Sequence, residues 1–356
     1  MTCTPAGQGT STRSVDAHDP VLTIQRTNPI DCADSLKSFF AANESPALVT
    51  LVDTAYPEVA RAGGANWIGV DDTGHVQLNV TLFRHDFEFR GRTIRAGMLA
   101  NMVAAKEYRW FFPSVSLVSR VVQDVSQESE LDFLYSDPQP GAAVVSKTAG
   151  LKQLGALDRF VIPVSDSRHW YALAARAYAA AVRLRYGFVK ATCTAVDSTA
   201  FDGNRFAIPI GMSSRLRPRH SESMYRRRLR GYPGPEYVWY EFRLPHHRGA
   251  KEPDAAVLLY GPDERRVAHV RAIRRGPSIA LSPLIPGVLR AARERGAHRL
   301  EIETVRESNF ARELLGIGFR KRGDFVPVFG TAITPAGHEV VNAIQDWEIT
   351  TFDMER

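Results

Sequence analysis

The residues best placed for chemistry sit between Leu99 and Ser119, LANMVAAKEYRWFFPSVSLVS. An apolar run, Leu99 to Ala105, is interrupted only by Asn101. It reads as a strand buried on both faces. Lys106, Glu107, Tyr108 and Arg109 follow as a polar turn. Then come Pro113 and Ser114, and Val115, Leu117, Val118, Val121 and Val122 at helical spacing. Ser114 is a good N-cap, and Pro113 is tolerated in a first turn because its missing N–H is not needed there. A strand, a basic turn and a helix start present unpaired backbone N–H groups and the positive end of a helix dipole. That chemistry suits an anion such as a phosphate.

Proton transfer needs titratable groups near such a turn. His85, Asp86 and Glu88 lie on the preceding run, and alternation puts Asp86 and Glu88 on one face of a strand. The same residues also read as an exposed, charged strand edge. Asp353 near the end of the chain is a third candidate carboxylate, and His269, Glu301 and Glu303 are others. His169, His246 and His247 lack metal-ligand spacing, and Cys3, Cys32 and Cys193 form an odd, sparse set without C-x-x-C. No metal and no disulfide framework are expected. Cys193 reads as a small buried hydrophobe rather than a nucleophile.

A chain of 356 residues suggests two domains. Its 44% apolar and 24% charged residues are ordinary for a globular protein. No run of 18 apolar residues exists, so no membrane span is expected. Residues 1–20 have no apolar h-region and read as a mobile tail, with a cytoplasmic location as the default. The net charge of +6 has a local source, the seven arginines of RLRPRHSESMYRRRLRG (215–231). Such a segment is either an anion-binding patch or a solvated helix.

The spacing predicts helices over Asp31–Phe40 and Tyr56–Arg61. An antiparallel meander follows: Trp67–Val70, Val76–Phe83, then a run to Val103. Leu131–Tyr135 reads as a strand, Gly141–Thr148 as a helix, and the stretch to Val164 as a strand. Ala-rich 169–189, then 199–212 and 221–229, read as helical. Tyr237–Arg243, Ala255–Tyr260 and Val267–Ile273 read as strands. Leu284–Arg295 is an amphipathic helix, 298–305 a strand, Asn309–Leu315 a helix, and 316–330 leads into a last strand.

This order resembles the GNAT superfamily of acyl-CoA-dependent acyltransferases, and it occurs twice with little identity between the copies. The resemblance implies an α+β (mixed α/β) fold of two GNAT-like domains. Each would be a mixed, mainly antiparallel sheet flanked by helices, at about 21–165 and 166–356. It places the cofactor, acetyl-CoA or another acyl-CoA, at Val103, Ala104, Arg109, Trp110, Phe111, Phe112, Pro113 and Ser114. Phe111, Phe112 and Pro113 stand where the family's turn carries glycines. The second copy has Arg274-Arg275-Gly276-Pro277-Ser278 in place of the turn, so one cofactor site is expected. The tail at Trp347, Thr350 and Asp353 resembles the ending of some tandem members.

The family's usual oxyanion donor, a backbone N–H of the central strand, would come from Val103 or Ala104. The tyrosine many members place before the "Gly-Phe" exit is Ser146 in the first copy and Leu314 in the second. Tyr108 and Tyr135 are unranked substitutes. The resemblance implies N-acyl transfer, acetyl first, to an amine of an amino sugar or other small metabolite, with no membrane partner and nucleic acid disfavoured. The alternative is a non-catalytic module of the same fold that binds an anionic ligand, nucleic acid or acidic glycan. The sequence leaves the oligomeric state open.

Overall fold

The computed structural model describes residues 22–109, 111–164, 181, 191–196, 214–219, 224–225, 228–229, 237–245, 253–276 and 278–354. The helices expected over 169–189 and 199–212, and most of 221–229, lie outside these. Described strands form one continuous sheet of thirteen, in the order β1-β2-β3-β4-β5-β13-β6-β12-β11-β10-β9-β7, with β8 (Arg217–Pro218) beside β3. Its first part is β1 (Thr23–Thr27), β2 (Ala65–Val70), β3 (Val76–Phe89), β4 (Arg92–Ala104) and β5 (Phe133–Ser136). Its second part is β6 (Lys152–Pro163), β7 (Thr192–Val196), β9 (Tyr237–Arg243), β10 (Ala255–Tyr260), β11 (Val267–Arg275) and β12 (Arg299–Val305). The last strand, β13 (Arg320–Ala332), lies between β5 and β6, antiparallel to both. β6 in turn pairs with β12. Ladder hydrogen bonds therefore connect the described strands without a break from β1 to β7.

Most elements fall where apolar spacing puts them. Helix α1 (Ala33–Ala42) buries Leu36, Phe39 and Phe40. Helix α2 (Pro46–Thr54) was not expected; it is short, apolar and opened by Pro46, a favourable first-turn residue. Helix α3 (Tyr56–Arg61) follows at once. Helices α4 (Phe111–Glu128) and α5 (Pro140–Thr148) flank β5 in sequence, and α6 (Ile285–Glu294) and α7 (Asn309–Ile317) flank β12. Ser308 caps α7 by accepting from Ala311 N, and Gly318 ends it at φ +105°, a conformation that suits glycine. Helix α8 (Pro335–Val341) comes last.

Two contacts show which helices cover which face of the first five strands. Trp67 on β2 donates to Asp124 of α4 at 2.8 Å, and Trp67 is the cross-strand partner of Val80. The Tyr56 hydroxyl of α3 meets Thr81 Oγ1 at 3.0 Å. Neighbours on a strand point to opposite faces, so α4 lies on the Val80 face and α3 on the Thr81 face. The Thr81 face also receives the end of the chain. Trp347, fully buried, packs its ring 5.7 Å from Phe133.

Beyond Trp347 the chain crosses to the second part of the sheet, held by charge. Glu348 is buried and takes Arg275 Nε at 2.8 Å, Arg215 Nη1 at 2.9 Å and Arg217 Nη2 at 3.1 Å. Arg275 also forks onto Glu313 of α7 with two 2.7 Å bonds, and Leu281 N donates to the same carboxylate. Burial raises the Glu313 carboxyl, but the hydrogen bonds and charge of Arg275 outweigh it and hold it at about 2. Glu348 is displaced downward for the same reasons. A carboxyl depressed in the folded state stabilises above its unfolded value of about 4.3, and that stabilisation fades as pH falls toward the folded value. The urea midpoint is therefore expected to drop between pH 5 and pH 2, and Glu313→Gln to flatten that drop. An identical pH dependence in the variant rules the expectation out.

Candidate functional site

Strands β4 and β5 run parallel but pair over only three residues, Ala96–Met98 with Phe133–Tyr135. The sequence gives the reason. After Ser136 comes Asp137-Pro138-Gln139-Pro140, and two prolines remove the donors a longer ladder needs. From Leu99 to Ala104 the edge of β4 toward β5 has no strand partner among the described residues. On its other edge β4 slips register against Asn79–Thr81, and Asn101 sits at φ +54°. Asparagine tolerates this left-handed conformation, and it makes a β-bulge. Buried Asn79 pins the bulge by donating to Asn101 O at 2.9 Å. The run expected to be buried on both faces is thus half-buried from Ala100 to Ala104. Its missing neighbour leaves a cleft.

That cleft has a volume of about 470 Å3. Its long wall is Leu99–Val103. Ser136, Asp137, Pro138 and Gln139 face it, and the α5 residues Gly141, Ala142 and Ser146 continue that side. Val118 enters from α4 on one face of the sheet, and Leu48 from α2 on the other. The opening therefore reaches through the sheet, so two molecules can meet in it from opposite faces. Met354 closes part of the wall. Ser136 is 5% exposed, lines the cleft and has an Oγ without a hydrogen-bond partner. A buried hydroxyl of that kind is a ready contact for a polar chain lying along β4.

The basic turn follows β4 directly. Lys106–Tyr108 make one 3-10 turn, and Arg109 Nε donates back to Ala104 O at 3.2 Å. Helix α4 begins at Phe111, one turn earlier than expected. Ser114 is therefore not the N-cap but a buried residue inside the first turn, with Pro113 just before it. A fixed φ and a missing N–H are both acceptable at Pro113 there. Phe112 is 67% exposed and leaves the gap between the strands clear. Trp110 and the side chain of Phe111 lie outside the described residues. Val103 lines the cleft; Ala104, Arg109, Phe112, Pro113 and Ser114 adjoin it in sequence without lining it.

The carboxylates singled out from sequence lie elsewhere. Asp86 is exposed and Glu88 half-buried, on the stretch of β3 that pairs with Arg217 and Pro218 rather than on the cleft wall. Asp353 is buried, and its Oδ2 accepts from Thr350 N at 2.8 Å, which closes its own turn. His269 lies between Asp263 and Glu301, at 3.3 and 3.5 Å, on the second part of the sheet. Tyr135 is fully buried; its hydroxyl donates to Asp353 O at 2.8 Å and meets His85 Nδ1 at 2.6 Å. Burial, with the charges of Asp71 and Asp72, pushes the Tyr108 hydroxyl up. Burial pushes the Cys193 thiol to about 11, far from a nucleophile's range. Among the described residues no three His, Cys, Asp or Glu converge as a metal site requires, and no helix is long and apolar enough to cross a membrane.

Asp137 is the carboxylate that lines the cleft among the described residues. Sequence reasoning passed over it as part of a proline-bounded turn. The available signal was its place immediately after β5, where the ladder has to end. Ser146 lines the cleft too, at the position where the resemblance expects a tyrosine.

The second part of the sheet repeats the arrangement with a different outcome. β11 and β12 pair in parallel over Val267–Val270 with Arg299–Ile302. Past that point the chain end packs against both strands. Thr304 Oγ1 donates to Ile349 O at 2.6 Å, Thr350 Oγ1 donates to Arg271 O, and Arg271 Nη1 reaches Thr351 Oγ1 at 3.1 Å. Of the described arginines in the segment expected to be either an anion patch or a solvated helix, Arg215, Arg217 and Arg228 face inward, two onto Glu348 and the third onto Thr351 O at 2.8 Å, while Arg219 is exposed.

No family model and no curated protein matches the sequence. Solved structures do match the fold. A GCN5-related N-acetyltransferase from Anabaena variabilis superposes with a TM-score of 0.61 at 9% identity, over 88% of this chain and 74% of that one. One from Kribbella flavida gives 0.59 at 14% identity, over 87% and 72%. A tandem GNAT protein from the clavulanic acid biosynthesis pathway gives 0.50 at 11% identity, over 88% of this chain and 99% of that one. With its parallel pair of strands parting around a bulged β4, and a second, altered copy of that pair in the same sheet, this chain has the tandem GNAT fold.

Proposed function

We propose that the protein is an acyl-CoA-dependent N-acyltransferase with one cofactor site, in the cleft between β4 and β5. The observation that carries this reading is the unpaired edge of β4 over Leu99–Ala104 facing a through-sheet cleft. A pantetheine arm carries amide groups, and an unpaired strand edge offers them hydrogen bonds as another strand would. The first N–H groups of α4, beside Arg109, suit the diphosphate. Bound acyl-CoA supplies an activated thioester, whose carbonyl carbon the amine nitrogen attacks as the C–S bond breaks and CoA leaves. A backbone N–H of β4 near the bulge steadies the developing oxyanion. Asp137 takes the proton that the amine loses. Ser146 donates a hydrogen bond on the thiol side.

In the second part of the sheet, residues 349–351 lie where a second cofactor would pass, which supports a single site. Engagement of Arg215, Arg217 and Arg228 within the fold, three of the segment's seven arginines, leaves fewer charges for a polyanion and favours an enzyme over a polyanion-binding module. The acceptor is an amine of an amino sugar or other small metabolite, and acetyl is the first acyl group to test. Likeness to a tandem protein of a small-molecule biosynthetic pathway supports that class.

Acetyl-CoA is expected to raise the melting temperature. At a hundredfold excess over Kd, the linkage is worth about 2.7 kcal/mol. Ala100→Trp, which fills the cleft, is expected to abolish the shift, and Arg109→Glu to weaken it. No shift in the wild-type protein at millimolar acetyl-CoA overturns the proposal.

A further inference from the structure

We infer that Met354 sets the length of the acyl chain the cleft accepts, and that the second half of the molecule acts on the reaction by holding Met354 in place. The inference rests on the acyl-CoA reading above. Met354 ends the 3-10 turn Thr351–Met354, is fully buried and lines the cleft of the first half. Its depth in the cleft follows from its neighbour. Asp353 O accepts from the Tyr135 hydroxyl, and Tyr135 is the cross-strand partner of Met98, the last pair before β4 and β5 part. Met354 thus sits by the closed end of the gap, away from the turn and α4 at its open end. A thioester whose diphosphate lies at α4 points its acyl group toward that closed end.

The turn cannot slide away from this position. Thr351 O takes Arg228 Nη2 at 2.8 Å and Thr351 Oγ1 takes Arg271 Nη1 at 3.1 Å, both from the second half of the chain. Thr350 and Asp353 close the turn internally. A long, unbranched side chain fixed beside the closed end of the gap between β4 and β5 limits what fits beyond the carbonyl. Leu48 comes from α2, the helix on the same side of the sheet, so it is a second wall of the same chamber. Both residues together favour acetyl over a longer chain.

Calorimetry of the full-length protein with acetyl-CoA and with hexanoyl-CoA tests this without knowledge of the acceptor. Wild type is expected to bind acetyl-CoA more tightly. Met354→Ala is expected to shift the hexanoyl-to-acetyl affinity ratio about tenfold or more toward hexanoyl, the scale on which a pocket discriminates apolar groups. Leu48→Ala, at a half-buried helix position, is expected to shift it in the same direction, and it decides the matter if Met354→Ala does not melt cooperatively. Variants that bind acetyl-CoA with an unchanged ratio overturn the role of Met354 and leave the acyl-CoA reading standing. A wild-type protein that binds neither thioester overturns both.

Discussion

Glu348→Ala is expected to cost about 3–5 kcal/mol of stability, as removal of one partner from a buried ion cluster does. The cause is desolvation. Arg217 and Arg275 have only 8% and 2% of their side chains exposed, and Glu348 5%. Without the carboxylate, Arg217 keeps one bond, to Arg275 O, and Arg275 keeps Glu313 and Ile279 O. Glu313 then serves Arg275 and Arg215, and the buried Arg217 guanidinium is left with no carboxylate partner among the described residues. Chemical denaturation of Glu348→Ala and Glu348→Gln beside wild type measures the effect. Gln retains volume and some hydrogen bonding but not charge, so it should fall nearly as far if charge is what matters. A loss under about 1 kcal/mol in both would show that the cluster is better hydrated than its burial implies. Since Glu348 fixes the segment that ends in Met354, the alanine variant should also show a smaller acetyl-CoA shift.

Asp137→Asn is expected to lower turnover by about 10²–10⁴, the usual contribution of a positioned general base. That corresponds to about 2.7–5.5 kcal/mol on the barrier. Asparagine keeps the shape of the cleft wall and loses only the capacity to accept the amine's proton. Acetyl-CoA binding should therefore be preserved while release of free CoA in the presence of glucosamine or a panel of small primary amines slows. Asp86→Asn and Glu88→Gln make useful companions, because both residues lie on the part of β3 that pairs with β8. Equal rates for wild type and Asp137→Asn would remove Asp137 from the mechanism. Loss of rate in the Asp86 or Glu88 variants with Asp137 unaffected would move the base to β3.

Much of the fold was legible because its signals are local. The alternation along Tyr237–Arg243, the apolar stripe of Leu284–Arg295 and the glycine after α7 each act within a few residues, and each element formed nearly where they put it. The strand-turn-helix around Arg109 was legible for the same reason. Its start was misplaced by one turn, because Pro113 and Ser114 are both acceptable inside a first turn and Ser114 packs there instead of capping. Candidate carboxylates were harder. Alternation correctly set Asp86 and Glu88 on one face, but a face is not a cleft. Asp353 reads as a surface or site carboxylate, yet in the fold it closes its own turn.

The sequence by itself determined most of the described elements and their order, and the two prolines after Ser136 that keep the β4–β5 ladder short. Those follow from side-chain periodicity and from prolines that cannot donate, which are properties of neighbours in the chain. Only the tertiary structure decided that β13 lies between β5 and β6, that Glu348 gathers three arginines, and that Met354 reaches the cleft beside Asp137. These pairings join residues that are mostly more than a hundred, and in one case more than two hundred, positions apart. They are selected by which strand edges remain unpaired and which charges must be buried together, and no local pattern in the chain records either choice.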